Sequence, residues 1–388
     1  MKQLIPRLLL LCLPLAIIYA LEFALPWDTF TFRTWEAIQV SDRFCDLFGS
    51  GVRRIMAWTT LPGPFAPSIT FHKVETGDLG HHTAFAIPRD VVWQTDNDGF
   101  RKTPRDAARP RVVIVGDSET VGTGLTQEDT LAEVLQREYD LSAYPFAPYD
   151  LQDYLRYPRW KEQPPEFVVY ESIERYSLDP IPVPRMDAPP AYRPIESPPL
   201  QQLEIVWNRI QRLMSIEYLH AQVNGRKQPI ERQGVLFLQG ENVGHLQKPQ
   251  QIESVVKSLE AYAAILQKRG SRLAVLIVPD KENTYAGLFP GGPPRRLISR
   301  LRTELRHTNV GWVELETDFV LSRQAGQAPH QRDDTHWSAH GVRLAARNLA
   351  EWTRGDGRRL PTVGRDRDED PRRRSSIGTD ATIKSPQD

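Results

Sequence analysis

Ser118 ends an aliphatic run in RVVIVGDSET, residues 111–120, and sits between Asp117 and Glu119. A serine hydroxyl is a weak nucleophile until an imidazole takes its proton, and the imidazole needs a carboxylate to fix its tautomer. Residues 332–341, RDDTHWSAHG, supply both kinds of group, because His336 follows Asp333 and Asp334. An Asp-x-His arrangement uses Asp334 and an Asp-x-x-His arrangement uses Asp333. Taken alone, Gly-Asp-Ser also suits a tight capping turn, and Asp-x-His before a helix also suits a cap with a surface histidine. The two stretches together favour acyl chemistry over either turn.

These residues need a scaffold that brings them to one edge. The run 111–116, EFVVYE (166–171), RLAVLIVPD (272–280) and VGWVEL (310–315) have strand length and composition. GVLFLQ (234–239) is a further strand candidate. Between them lie helical segments. Thr126 and Asp129 resemble a capping box opening a helix over 127–139. Residues 249–270 place Ile252, Val255, Val256, Leu259, Ala263 and Leu266 on one face and stop at Gly270. Residues 295–307 and a last helix after Ser338 follow, and another helix is expected near 201–222. This alternation implies an α/β fold with a mostly parallel sheet and helices on both faces. In such sheets the loops at the carboxyl ends of the strands share one edge, so Ser118 and His336 can meet there.

Forty-nine basic and 49 acidic residues cancel, so no global field points to nucleic acid. Cys12 and Cys45 are the only cysteines. Cys12 lies in an apolar stretch, so a structural disulfide is not expected, and no Cys/His spacing suggests zinc. MKQLIPRLLLLCLPLAIIYALEFALPW opens with Lys2 and Arg7 and then runs apolar to Leu21. It lacks a small-x-small cleavage pattern and just reaches the roughly 17 residues that cross a bilayer. The expectation is a membrane anchor over 1–27 with its basic end cytoplasmic, then a juxtamembrane segment over 28–74 and a catalytic domain over 75–353. The polar, charge-rich stretch 354–388 is expected to be a disordered tail.

VIVGDSETVGTG resembles the first block of the SGNH (GDSL) hydrolase superfamily, and DDTHWSAHG its last. The Trp after the histidine is similar to the branch of alginate O-acetyltransferases of the AlgJ/AlgX type. WQTDNDGFRKTP, PPEFVVYESIERYS and VLIVPDKENTYAGLF resemble further stretches of that branch. The resemblance implies an SGNH-like fold with Ser118 as nucleophile, His336 as base, Asp334 as orienting acid and Asp333 as the alternative. It implies O-acetyl transfer to a surface polysaccharide by a periplasmic enzyme anchored in a bacterial inner membrane, with acetyl groups supplied by a multi-spanning acyltransferase. No cofactor or metal is implied. A carbohydrate acetylesterase and a non-catalytic glycan-binding scaffold are the alternatives. Arg175, Lys281, Tyr285 and Trp337 are candidate substrate contacts, Arg175 also as an oxyanion donor. The chain departs from ordinary SGNH enzymes where YPFAPYD and YESIER replace their Gly and Asn donors. It also carries serine before Asp-His, the reverse of the alginate enzymes.

Overall fold

The computed structural model describes residues 33–39, 62–81, 83–102, 109–187, 229–238, 249–288 and 297–355, with the isolated positions Leu13 and Ile17. Five parallel strands make the central sheet, in the order β4-β3-β5-β8-β9. They are β3 (Val112–Val115), β4 (Ala143–Phe146), β5 (Phe167–Ile173), β8 (Arg272–Val278) and β9 (Gly311–Val313). The alternate side chains of these strands feed two separate cores, which is why β3 is aliphatic throughout and β8 beyond its first residue. Val113, Val115, Val168, Val275 and Ile277 face one core. Val112, Ile114, Val169, Leu276 and Val278 face the other.

Helices cover both faces. The expected amphipathic helix runs from Pro249 to Lys268 and buries Ile252, Val255, Leu259, Ala263 and Leu266 in the first core. The helices Leu131–Tyr139 and Ala339–Arg354 pack on the second. Chain order reverses at β3, between β4 and β5. The carboxyl end of β3 is therefore a topological switch point, where open α/β sheets bind ligands. Ser118 lies three residues beyond it.

Several expectations need correction. The strand expected at 234–239 is β7 (Val235–Phe237), which pairs antiparallel with β6 (Ile230–Arg232) outside the main sheet. Thr126 makes no side-chain cap. Its Oγ1 accepts from Val92 N–H at 3.1 Å, in β2 (Arg89–Gln94), and the helix begins at Leu131. The boundary drawn at 74/75 falls inside β1 (Thr70–Glu75), which forms a hairpin with β2. Residues 33–39, expected in a juxtamembrane segment, pack into this body, with Trp35 and Ile38 buried against Phe65, Val91 and Trp93. The helix near 201–222, the anchor and the tail lie outside the described residues. No helix among the described residues is long and apolar enough to cross a membrane.

Candidate active site

A four-residue helix, Ser118–Val121, follows β3 and begins on Asp117, whose Oδ1 accepts from Glu119 N–H at 2.8 Å. The N–H groups of a helix's first turn have no acceptor within the helix, and that of Ser118 is one of them. Gly116 is required here because a Cβ would collide with the Glu171 carboxylate and the Thr120 hydroxyl. That carboxylate, at the end of β5, accepts from Thr120 Oγ1 at 2.8 Å and from Asp117 N–H at 3.2 Å. The serine turn is thereby bound to the neighbouring strand from below.

His336 arrives on the loop that precedes the last helix, which Ser338 caps by accepting from Gly341 N–H at 3.2 Å. His336 Nε2 lies 2.9 Å from Ser118 Oγ. Its Nδ1 donates to Asp334 Oδ1 at 2.6 Å. Asp334 is fully buried and His336 is 4% exposed, so this series is screened from water along most of its length. Burial disfavours the imidazolium, but Asp334, Glu119 and Asp78 outweigh it and raise His336 to about 9. Burial likewise works against the Asp334 carboxylate, and Arg33 and His336 overcome it, holding the group well below its ordinary range. Burial raises Glu119 to about 8, with His336 opposing. Glu119 Oε2 accepts from Trp337 N–H at 3.1 Å and so fixes the residue after the histidine.

Asp333 is turned away from the imidazole. Its Oδ2 accepts from Gly77 N–H and Ile87 N–H, each at 2.9 Å, and its Oδ1 pairs with Arg89. Gly77 passes so close to the Asp333 backbone that no side chain would fit. The alternative acid is therefore a clasp for the 77–87 loop.

Of the four candidate substrate contacts, Trp337, Tyr285 and Lys281 are buried, and Arg175 and Lys281 border a small recess. Trp337 is fully buried in the second core, where the bridge His330–Trp337 folds the loop inward. Tyr285 is 4% exposed, its ring 5.9 Å from Phe237 and 6.1 Å from His330. Lys281 is buried and donates from Nζ to the carbonyls of Gln331, Arg332 and Asp334 at 2.5, 2.9 and 2.9 Å. Burial lowers it to about 7, while Asp334 and Asp78 hold it up. Three acceptors use all three N–H donors of an ammonium, so Lys281 is a strut for the histidine loop. Arg175 pairs with Asp280 at 2.9 Å. It borders a small recess with Leu79, Leu238, Lys281, Glu282 and Thr335.

Sequence patterns missed the groups behind the acid. Arg33 Nη2 donates to Asp334 Oδ2 at 2.5 Å, and Arg33 Nη1 lies 3.3 Å from Glu75 Oε1. Asp78 accepts from Thr335 N–H at 2.9 Å and from Thr335 Oγ1 at 2.7 Å. No motif marks these residues, since the contact between Arg33 and Asp334 joins positions 301 apart. Ligand atoms of Asp78, Asp334 and His336 lie within 4.8 Å of one another, but the Arg33 guanidinium already occupies the outer oxygen of Asp334.

A family model described as the SGNH hydrolase-like domain of the acetyltransferase AlgX matches residues 232–367, the part that carries Asp334 and His336. Among curated proteins, the "Probable alginate O-acetylase AlgJ" of Pseudomonas putida is 32% identical over 90 residues, which are 22% of this chain and 23% of that protein's own length. A structure from Slackia heliotrinireducens, described as a candidate SGNH hydrolase, covers 63% of this chain and 98% of its own at 13% identity, with a TM-score of 0.35.

Proposed function

We propose, from the premise that this chain is an SGNH hydrolase-like protein of the AlgX/AlgJ type, that it carries an acetyl group on Ser118 and passes it to a polysaccharide hydroxyl. The observation that carries this proposal is the hydrogen-bonded series Ser118–His336–Asp334, buried at the switch point of the sheet. Ser118 Oγ attacks the acetyl carbonyl while His336 Nε2 takes its proton. The oxyanion forms near the Ser118 N–H, which the short helix leaves without an acceptor of its own. The intermediate collapses as His336 returns the proton to the leaving oxygen. The acyl-serine is then resolved by an incoming hydroxyl, deprotonated by the same nitrogen. Asp334 holds Nδ1–H throughout and stabilises the imidazolium.

With His336 at about 9, on the order of one molecule in a hundred has the neutral base at pH 7. Turnover should therefore climb with pH.

The apolar N-terminal stretch would anchor the chain in a bacterial inner membrane with its body in the periplasm. From Trp27 to Arg33 the chain can span no more than about 22 Å, at roughly 3.3–3.6 Å per residue. The acid would thus be tethered close to the bilayer, where a multi-spanning acyltransferase could supply acetyl groups. A second possibility, hydrolysis of acetylated glycans, differs only in that water resolves the acyl-serine.

The test is turnover of a chromogenic acetyl ester by wild type, Ser118→Ala and His336→Ala, followed by addition of acetyl-free oligosaccharides. Loss of turnover in both variants, with acetylated sugar formed by the wild type, is the expected result. Acetate alone as product makes the enzyme an esterase. Equal inertness of all three proteins overturns catalysis.

A further inference from the structure

Residues 33–39 bind one member of the Ser118–His336–Asp334 series directly and pack against the short helix that begins with another. Arg33 is 2% exposed and donates to the oxygen of Asp334 that His336 does not use. Five and six residues later the chain is pinned to the body: Ala66 N–H donates to Ile38 O at 2.8 Å, and Gln39 bridges to Phe65. Trp35 and Ile38 enter an apolar cluster with Trp93, Val121 and Ala147. Val121 belongs to the short helix that begins with Ser118, and Ala147 to the turn after β4. Thr34 closes the join, its N–H and Oγ1 donating to Glu75 Oε2 at 2.6 and 2.8 Å.

The charges explain why a cation is needed there. Glu75, Asp78 and Asp334 converge on Arg33, at 3.3, 3.9 and 2.5 Å. Three carboxyl groups this close, Glu75 and Asp334 buried and Asp78 21% exposed, repel one another unless a counter-charge sits among them. An acid that takes up a proton can no longer stabilise the imidazolium or fix its tautomer. A guanidinium in a two-pronged grip on Glu75 and Asp334 supplies both the charge and a fixed direction, which a lysine ammonium supplies only in part.

We propose that Arg33 is a positioning residue for Asp334, and that residues 33–39 dock as a latch which completes the site. The role rests on the acyl-serine mechanism above, while the latch itself does not. It places part of the active centre immediately after the N-terminal apolar stretch, so removing that stretch together with residues 33–39 would cost activity even where the sheet folds.

The experiment uses the full chain and the variants Arg33→Met and Arg33→Lys, with unfolding midpoints measured first. For Arg33→Met the expected result is a fall of about 100-fold in kcat with KM unchanged, the scale of a misplaced catalytic group. Added guanidinium should restore part of it, and should restore none in Ser118→Ala. For Arg33→Lys a fall of roughly 10-fold in kcat is expected. The proton between His336 Nδ1 and Asp334, followed by NMR, should shift in both variants, a readout that needs no turnover. If the wild type is inert towards esters, that resonance still decides the latch, and the mechanism alone fails. Wild-type kcat together with an unshifted resonance in a folded Arg33→Met overturns the proposal. If that variant does not fold, the same result in Arg33→Lys does so.

Discussion

Around Ser118 the ionisable neighbours are Asp117, Glu119 and Glu171, whereas the loop carrying Asp334 and His336 is gripped by Arg33, Arg89 and Lys281. The two halves of the site thus have opposite surroundings. Of the carboxyls beside the serine, Glu119 favours the protonated histidine once it is itself ionised, above its own pKa of about 8. Cations behind the loop keep its acid ionised and hold its carbonyls. The imidazole lies between the two halves, and carboxylates from both, Asp334 first and then Glu119 and Asp78, raise it to about 9 against burial. The serine half is held by a short turn on a strand. The histidine half is a loop with little regular structure and is held by long polar side chains.

The neighbouring acids of the loop give the sharpest way to break this comparison. Asp334→Asn should lower kcat by about 10⁴-fold, because an amide presents the wrong partner to Nδ1. Asp333→Asn should leave the chemical step nearly intact and lower stability, since Asp333 fastens Gly77 and Ile87. Steady-state kinetics and urea unfolding of the two variants, side by side, check both expectations. A large kcat loss at Asp333 would contradict the geometry.

Lys281→Met comes next. It removes a donor from three carbonyls, of which Arg332 O keeps Leu236 N–H at 2.8 Å and those of Gln331 and Asp334 lose theirs. The expected cost is about 2 kcal/mol of unfolding free energy, at roughly 1 kcal/mol or more per orphaned acceptor, and a lower kcat from a loosened loop. Chemical denaturation measures the first and ester turnover the second.

The anionic half is tested through pH. A base acts when deprotonated, so kcat/KM should rise with pH and level off above the His336 pKa of about 9. Glu119 is one of the charges that raises it. Glu119→Gln removes that charge and keeps a carbonyl for Trp337 N–H, so the rising limb should move to lower pH. A pH–rate profile whose limb stays in place would show that Glu119 does not set the base.

How far the sequence reveals all this depends on the range of the contacts. Of the five strands of the sheet, β4 reads Ala-Tyr-Pro-Phe and carries no short apolar run, whereas the other four are legible because each carries one, a local fact. Ser118 and His336 are legible for the same reason. Asp333 and Asp334 are adjacent and identical, and what separates them comes from more than 240 residues away, at Gly77, Ile87 and Arg89. Tyr285, Lys281 and Trp337 sit at strand or loop ends, where an open cleft is a natural expectation. The histidine loop instead closes over Lys281, and the turn buries Trp337. Thr126 carries a capping pattern, but β2 needs an acceptor at Val92 and takes its hydroxyl. Arg33 stands in no motif.

The smallest expected effect asks whether the helix after the histidine loop also sets the loop's position. Ser338 caps that helix through Gly341 N–H, and its Oγ donates to Ala328 O at 2.7 Å. Ser338→Ala should cost about 1 kcal/mol of stability, as lost caps do. If Lys281, Arg33 and Glu119 position His336, kcat should change by less than about 3-fold, because none of their contacts passes through the cap. A kcat loss well beyond that, with the fold intact, would move control of the histidine from the flanking charges to the end of the helix. The contrast between an anionic and a cationic half would then describe the site's charges without explaining its geometry.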